Sequence, residues 1–222
     1  MSDTKPEIKP LEGLKPQNIP RLVLFFVLNV IVFIVVFSGK DADASYWEFI
    51  KGAAQPEKGV VFLVASLAVI VLDGLIPTPV KNVLVFWRWP HPLPGCRAFT
   101  VIAPNHPEMI SIDALEKYSK PLPTDPAKQN KLWLNLYEKH QAHPSVVQVH
   151  RNFLLTREMT SLSSLFLLLF PLTLYLMGTT FDGLKWIYVV ALVVQYLLVA
   201  LSCRNYGYGF VTVVLVRASS SI

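Results

Sequence analysis

Four stretches of the chain are almost empty of charge. Leu22–Phe37 has none, Gly59–Ile76 holds only Asp73, Ser161–Gly178 has none, and Leu184–Cys203 holds only Lys185. At a helical rise of about 1.5 Å per residue, such runs approach the roughly 30 Å of a bilayer's hydrocarbon core. That core accepts only helices or closed barrels, because every backbone amide and carbonyl must find its partner within the protein. Charged residues make up 16% of the chain, well below the share of about 25% usual in soluble domains. The pattern predicts a membrane all-α protein with four transmembrane helices, the lipid bilayer being its first partner.

The distribution of lysine and arginine sets an orientation, since cytoplasmic loops carry the excess of both. The N-terminal tail holds Lys5, Lys9, Lys15 and Arg21. The segment 81–160 holds ten basic residues, from Lys81 to Arg157, against six acidic ones, and the last tail holds Arg204 and Arg217. In Ser38–Lys58 the bases are balanced by Asp41, Asp43, Glu48 and Glu57, and Thr179–Gly183 carries only Asp182. With four spans the three basic segments share one side, which predicts a multi-pass protein of the cell inner membrane with both termini cytoplasmic. The net charge of +5 then reads as topology plus attraction to anionic headgroups, and no nucleic acid is expected as a partner. Ala42-Asp43-Ala44 resembles a small-residue cleavage site, but the long tail before the first apolar run, with its four prolines, argues against removal of residues 1–44.

Five regions follow. Residues 1–20 form a flexible cytoplasmic tail, and 21–80 hold helices 1 and 2 with an outer connection. Residues 81–160 form a cytoplasmic domain, 161–203 hold helices 3 and 4, and 204–222 form a cytoplasmic tail with a strand. Within the domain, Ala98–Ala103 (AFTVIA) reads as a strand, and Ser111 caps a short helix over Ile112–Tyr118. Asp125-Pro126 starts a helix, with the aspartate as cap and the proline in the first turn. Val146, Val149, Phe153 and Leu154 have helical spacing, and no breaker separates them from the third span, so one long helix is expected. Phe210–Val216 (FVTVVLV) is rich in β-branched residues and follows Gly207 and Gly209. It reads as a strand paired with Ala98–Ala103. The expected fold is therefore four membrane helices with a small cytoplasmic α+β layer formed by the 81–160 segment and the C-terminal tail.

Three sets of residues stand out. Trp87, Arg88 and Trp89, with Arg204 and Tyr206, have the amphipathic character of membrane-interface anchors. Pro90, Pro92 and Pro94 predict an extended, polyproline-like coupling strap that Gly95 ends. Asp73 and Gln195 form a possible intramembrane polar site. Asp73 serves either as an ion or proton site or as a partner of Arg88 or Lys81 at the interface. His91, His106, His140, His143 and His150 all lie in the 81–160 segment with Cys96, but no CxxC or HExxH spacing joins them. No catalytic residue, metal site or cofactor is assigned.

These readings predict a non-enzymatic integral membrane protein with a cytoplasmic sensing domain. It would self-assemble into homo-oligomers and respond to a cytoplasmic protein or a small-molecule ligand. The plan is similar to that of effectors and sensors of bacterial antiviral defence. Two alternatives are an accessory or scaffold subunit of another membrane complex, and a membrane enzyme acting on lipid-linked substrates through the His106–Asp113 region.

Overall fold

A computed structural model describes residues 14–38, 67–68, 70–72, 74–176 and 183–220. Among them the regular elements are all helical: α1 (Leu14–Ser38), α2 (Thr78–Phe86), a 3-10 turn (Pro94–Arg97), a π-helical turn (Ala98–Ile102), α3 (Ile112–Leu115), α4 (Pro126–His140), α5 (Pro144–Leu176) and α6 (Gly183–Ser220).

The membrane content differs from expectation. Two of the described helices, α5 with 33 residues and α6 with 38, are long and apolar enough to cross a membrane. Among the described residues the expected four are not found, and the Gln17–Phe33 part of α1 is a shorter apolar helix. Most of the stretch Gly59–Ile76 lies outside the described residues.

The expected α+β layer is overturned as well, because neither predicted strand forms. Ala98–Ile102 winds into a wide turn closed by Ala103 N–H donating to the Ala98 carbonyl at 2.9 Å. Its leading amides, which a strand partner would otherwise satisfy, find a side chain instead. Gln129 Oε1 accepts from Phe99 N–H at 3.0 Å and from Thr100 N–H at 3.2 Å. Phe210–Val216 continues α6 without interruption. Its β-branched residues lower helix propensity by only tenths of a kcal/mol each, and burial opposes that. Phe210, Val211, Val214, Leu215 and Ala218 are all buried, at a spacing that only a helix brings to one face. Gly207 does not break the helix either. A Cβ there would lie 2.8 Å from Phe86 Cζ and 3.3 Å from Phe153 Cε2, so the glycine allows close packing rather than a turn.

The chain divides into two compact units. In the one formed by Asn18–Val85 and Leu155–Cys203, Leu22 and Val23 of α1 pack against Leu162 of α5. Further along, Val36, Phe170, Leu174, Tyr188 and Leu192 join α1, α5 and α6. Tyr196 O–H donates to the Leu84 carbonyl at 2.7 Å, tying α6 to α2. On its outer side α6 exposes Trp186, Ile187, Val190, Val194, Leu198 and Leu201, a helical row suited to hydrocarbon.

The other unit comprises Phe86–Leu154 and Arg204–Ile222 with the first 17 residues. Its helices start where local chemistry dictates. Asp125 accepts from Lys128 N–H at 2.9 Å with Pro126 behind it, and Ser111 accepts from Ala114 N–H at 3.3 Å. Pro144 opens α5, beside the contact of Ser145 N–H with His143 Nδ1 at 3.3 Å. Tyr118 O–H reaches the Ala218 carbonyl at 3.4 Å, fastening the α3 region to the end of α6.

Gln129 is 1% exposed, so losing its acceptor leaves two amides without a partner, at roughly 1–3 kcal/mol each. Gln129→Leu should therefore lower the melting temperature in detergent clearly, followed by near-ultraviolet circular dichroism. Gln129→Glu, which keeps the acceptor, should lose less. A Leu variant that melts with the parent protein contradicts the amide-capping role.

Candidate functional site

The strap that follows α2 carries backbone strain at two residues. Trp87 has φ of 50° and His91 φ of 58°, left-handed values that cost residues with a Cβ of this bulk. Contacts offset the cost. The Arg204 guanidinium carbon sits 3.5 Å from the centre of the Trp87 ring, a cation–π contact worth roughly 0.5–2 kcal/mol. Arg97 Nη2 reaches the His91 carbonyl at 3.4 Å. The structure thus joins two of the expected anchors, Trp87 and Arg204. Arg88 is exposed, Trp89 is 80% exposed and Tyr206 39% exposed.

Along the strap the prolines pass from solvent to interior. Pro90 is exposed, Pro92 half-buried, and Pro94 and Gly95 buried. The buried end forms one wall of a cavity of about 160 Å³. A second wall is Trp133, Leu134 and Tyr137 of α4, a third is His150 and Phe153 of α5, and a fourth is Gly207, Phe210 and Val211 of α6. Phe210 organises these rings. It meets Trp133 and Tyr137 edge-on, each at 5.2 Å, and stacks on His150 at 4.7 Å. Such offset and edge-to-face pairs are the favoured aromatic geometries. A Cβ on Gly95 would lie 2.5 Å from Asn130 Oδ1 and 2.9 Å from Trp133 Cε3, so the strap approaches α4 as closely as it does only because that residue has no side chain.

Three residues of the cavity lining, Tyr137, His150 and Trp133, carry polar side-chain atoms. Tyr137 O–H and His150 Nδ1 lie 3.0 Å apart and satisfy each other, and burial pushes the Tyr137 phenol above its ordinary value. The Trp133 indole N–H is buried with no hydrogen-bond acceptor among the described residues. Pro94 and Gly95 belong to the strap read from sequence, but the pocket that they form with Trp133 and Tyr137 is not part of that reading. The available signal was the recurrence of rings at helical spacing: Trp133 and Tyr137, then His150 and Phe153, then Gly207 and Phe210.

The intramembrane polar residues divide. Gln195 Nε2 donates to Asn29 Oδ1 at 3.0 Å and approaches Ser163 Oγ at 3.4 Å, linking α6 to α1 and α5, while Asp73 lies outside the described residues. Lys81, named from sequence as an interfacial partner of Asp73, bonds to Glu158 Oε2. Arg157 Nη2 donates to Glu158 Oε1 at 2.7 Å, so both oxygens of this buried carboxylate are engaged. No three His, Cys, Asp or Glu side chains gather as metal ligands among the described residues. Cys96 and Cys203 are buried and not joined in a disulfide. Burial raises the Cys96 thiol, against an opposing pull from Arg97, which disfavours the reactive thiolate. His106 and Asp113 are both solvent-accessible; His106 pairs with Glu108 at 3.7 Å, and Asp113 lies in the first turn of α3.

His140, in the last turn of α4, is held below its ordinary value of 6.5 by burial first, then by His143, Lys139, Lys117 and Arg217. The unfolded chain therefore takes up this proton before the folded one does. The contribution of His140 is intact above that value and is lost as pH falls through the lower folded value. Melting temperatures measured at stepped pH should fall below about pH 6.5, and His140→Gln should flatten the slope. An unchanged slope contradicts the assignment. No protein-family model, curated protein or solved structure matches this chain.

Proposed function

We propose that the protein is a non-enzymatic sensor or effector of the cell inner membrane, multi-pass, with both termini cytoplasmic. Its pocket receives a cytoplasmic ligand, and α5 and α6 carry the response into the bilayer through self-assembly. One observation supports this reading most directly. Two walls of the pocket belong to α5 and α6, the same helices that are apolar and long enough to cross a membrane. At about 1.5 Å per residue they run roughly 50 and 57 Å, well beyond the hydrocarbon core of about 30 Å. A change of packing around Phe210 or Phe153 thus acts on the two helices whose apolar stretches suit lipid.

Charge supports the orientation. Arg151, Arg157, Arg204 and Arg217 flank one end of the apolar stretches of α5 and α6, while the other end has Lys185 beside Asp182, as the positive-inside rule requires of a hairpin with its open end in the cytoplasm. The exposed apolar row of α6 offers a surface for lipid and for a second copy of the chain. An envelope effector of bacterial antiviral defence is the role that this plan suits best, an argument from architecture alone.

Mass measurement of the protein in lipid nanodiscs and in detergent tests the reading. A homo-oligomer is expected, with its population rising with concentration. A monomer at every concentration contradicts self-assembly. If such a monomer is held in stoichiometric complex with a different protein, the chain is a subunit of another assembly.

A further inference from the structure

Gln195 stands at the middle of the apolar stretch of α6, ten residues from Lys185 and nine from Arg204. At about 1.5 Å per residue, either charge is roughly 13–15 Å away along the helix. Its Nε2 donates to Asn29 Oδ1 on α1 at 3.0 Å and approaches Ser163 Oγ on α5 at 3.4 Å. Among the described residues both of its hydrogen bonds run through the nitrogen, so the carbonyl oxygen on the other arm of the amide has no donor there. The Ser163 contact is also long for a hydrogen bond, and Ser163 Oγ donates to the Met159 carbonyl at 2.8 Å in any case. At the depth that the membrane reading gives Gln195, lipid tails carry no N–H or O–H and water is absent.

The side chain is half-buried rather than enclosed, and with Asn29 it gives polar character to a cleft between α1 and α6. The Tyr188 hydroxyl, on another lining residue, is fully buried and takes no part. The rim is apolar and exposed, with Leu28 and Val32 from α1 and Ala191 from α6. A cleft of about 180 Å³ takes side chains but not a whole helix of about 10 Å diameter. On α6, Ala191 stands one turn from the exposed Ile187 and Val194, so the cleft and the apolar row beside it form one surface.

An acyl chain laid over this surface would cover the rim and leave the amide oxygen unmet. A second copy of the chain covers both, because it brings the same rim and the same primary amide at the same depth. Twofold pairing is self-complementary, each copy giving what it receives. We propose that the chain pairs with a second copy of itself across the α1–α6 cleft. Each Gln195 keeps one N–H on Asn29 and donates the other to the carbonyl oxygen of Gln195 in the second copy. The inference rests on the self-assembly proposed above and locates it.

Mass measurement in detergent and nanodiscs, joined to cysteine cross-linking in native membranes, tests the pairing. Gln195→Leu removes two interhelical hydrogen bonds per dimer and should weaken dimerisation about tenfold. Ala191→Trp, at an exposed position, fills the cleft and leaves every amide in place. It should weaken dimerisation at least as much while the melting temperature holds. With Cys96→Ser and Cys203→Ala in the background, Ala191→Cys should give a disulfide-linked dimer on oxidation. Val193→Cys, two residues on and nearly on the opposite face of α6, should not. An oligomer that neither Gln195→Leu nor Ala191→Trp changes, or that links through Val193 and not Ala191, overturns the inference and leaves self-assembly standing. A cross-link from Ala191 to a different protein, or bound lipid that Ala191→Trp displaces with the oligomer unchanged, overturns it as well. A parent protein that is monomeric at every concentration removes both claims.

Discussion

Each unit depends on the ability of α5 and α6 to satisfy their own backbone hydrogen bonds over 33 and 38 residues. In hydrocarbon this is an absolute requirement, since an unpaired amide or carbonyl there costs several kcal/mol. Outside it, the same continuity sets where side chains fall. On α6 the buried positions Gly207, Phe210, Val211, Val214, Leu215 and Ala218 keep one helical stripe. A break near Gly207 and Gly209 would interrupt that stripe. Phe210 would then leave the centre of the aromatic cluster, and the fourth wall of the cavity would be gone.

Polar groups tie the apolar helices where shape alone would allow sliding. Gln195 bonded to Asn29 fixes the register of α6 against α1, a contact worth about 0.6 kcal/mol in membrane proteins on average. It therefore specifies more than it stabilises. Lys81, Arg157 and Glu158 carry larger stakes, being 4%, 9% and 4% exposed. A buried ion pair adds little net stability against an apolar substitute, but removal of one partner strands a charge and costs roughly 3–5 kcal/mol. With a cation on each oxygen of Glu158, the cluster is satisfied as a set and intolerant of partial loss.

Local signals were legible wherever one residue's chemistry decided the outcome. Asp125-Pro126 marked the start of α4, Ser111 marked the cap of α3, and the unbroken run from Val146 marked the continuity of α5. Errors arose where local preference met tertiary demand. Ala98–Ala103 has strand-like composition, but a single glutamine thirty positions away in sequence accepts from its amides, and no local rule announces that. In Phe210–Val216 the β-branched content outweighed a helical burial pattern that was present in the same seven residues. Among the described residues two helices, not four, are long and apolar enough to cross a membrane, since low charge marks a stretch as apolar without fixing the helix it forms. The pocket was hidden because its walls come from four separate stretches of chain, which no local pattern brings together.

The central claim is that α5 and α6 form a membrane-crossing hairpin with the pocket-bearing ends on the cytoplasmic side. Single cysteines at Lys185 and Ser220, introduced with Cys96→Ser and Cys203→Ala, test it by labelling with a membrane-impermeant maleimide. Lys185→Cys should label from outside once the outer envelope is opened, and Ser220→Cys only after the inner membrane is lysed. Equal labelling of both positions before lysis would contradict the account.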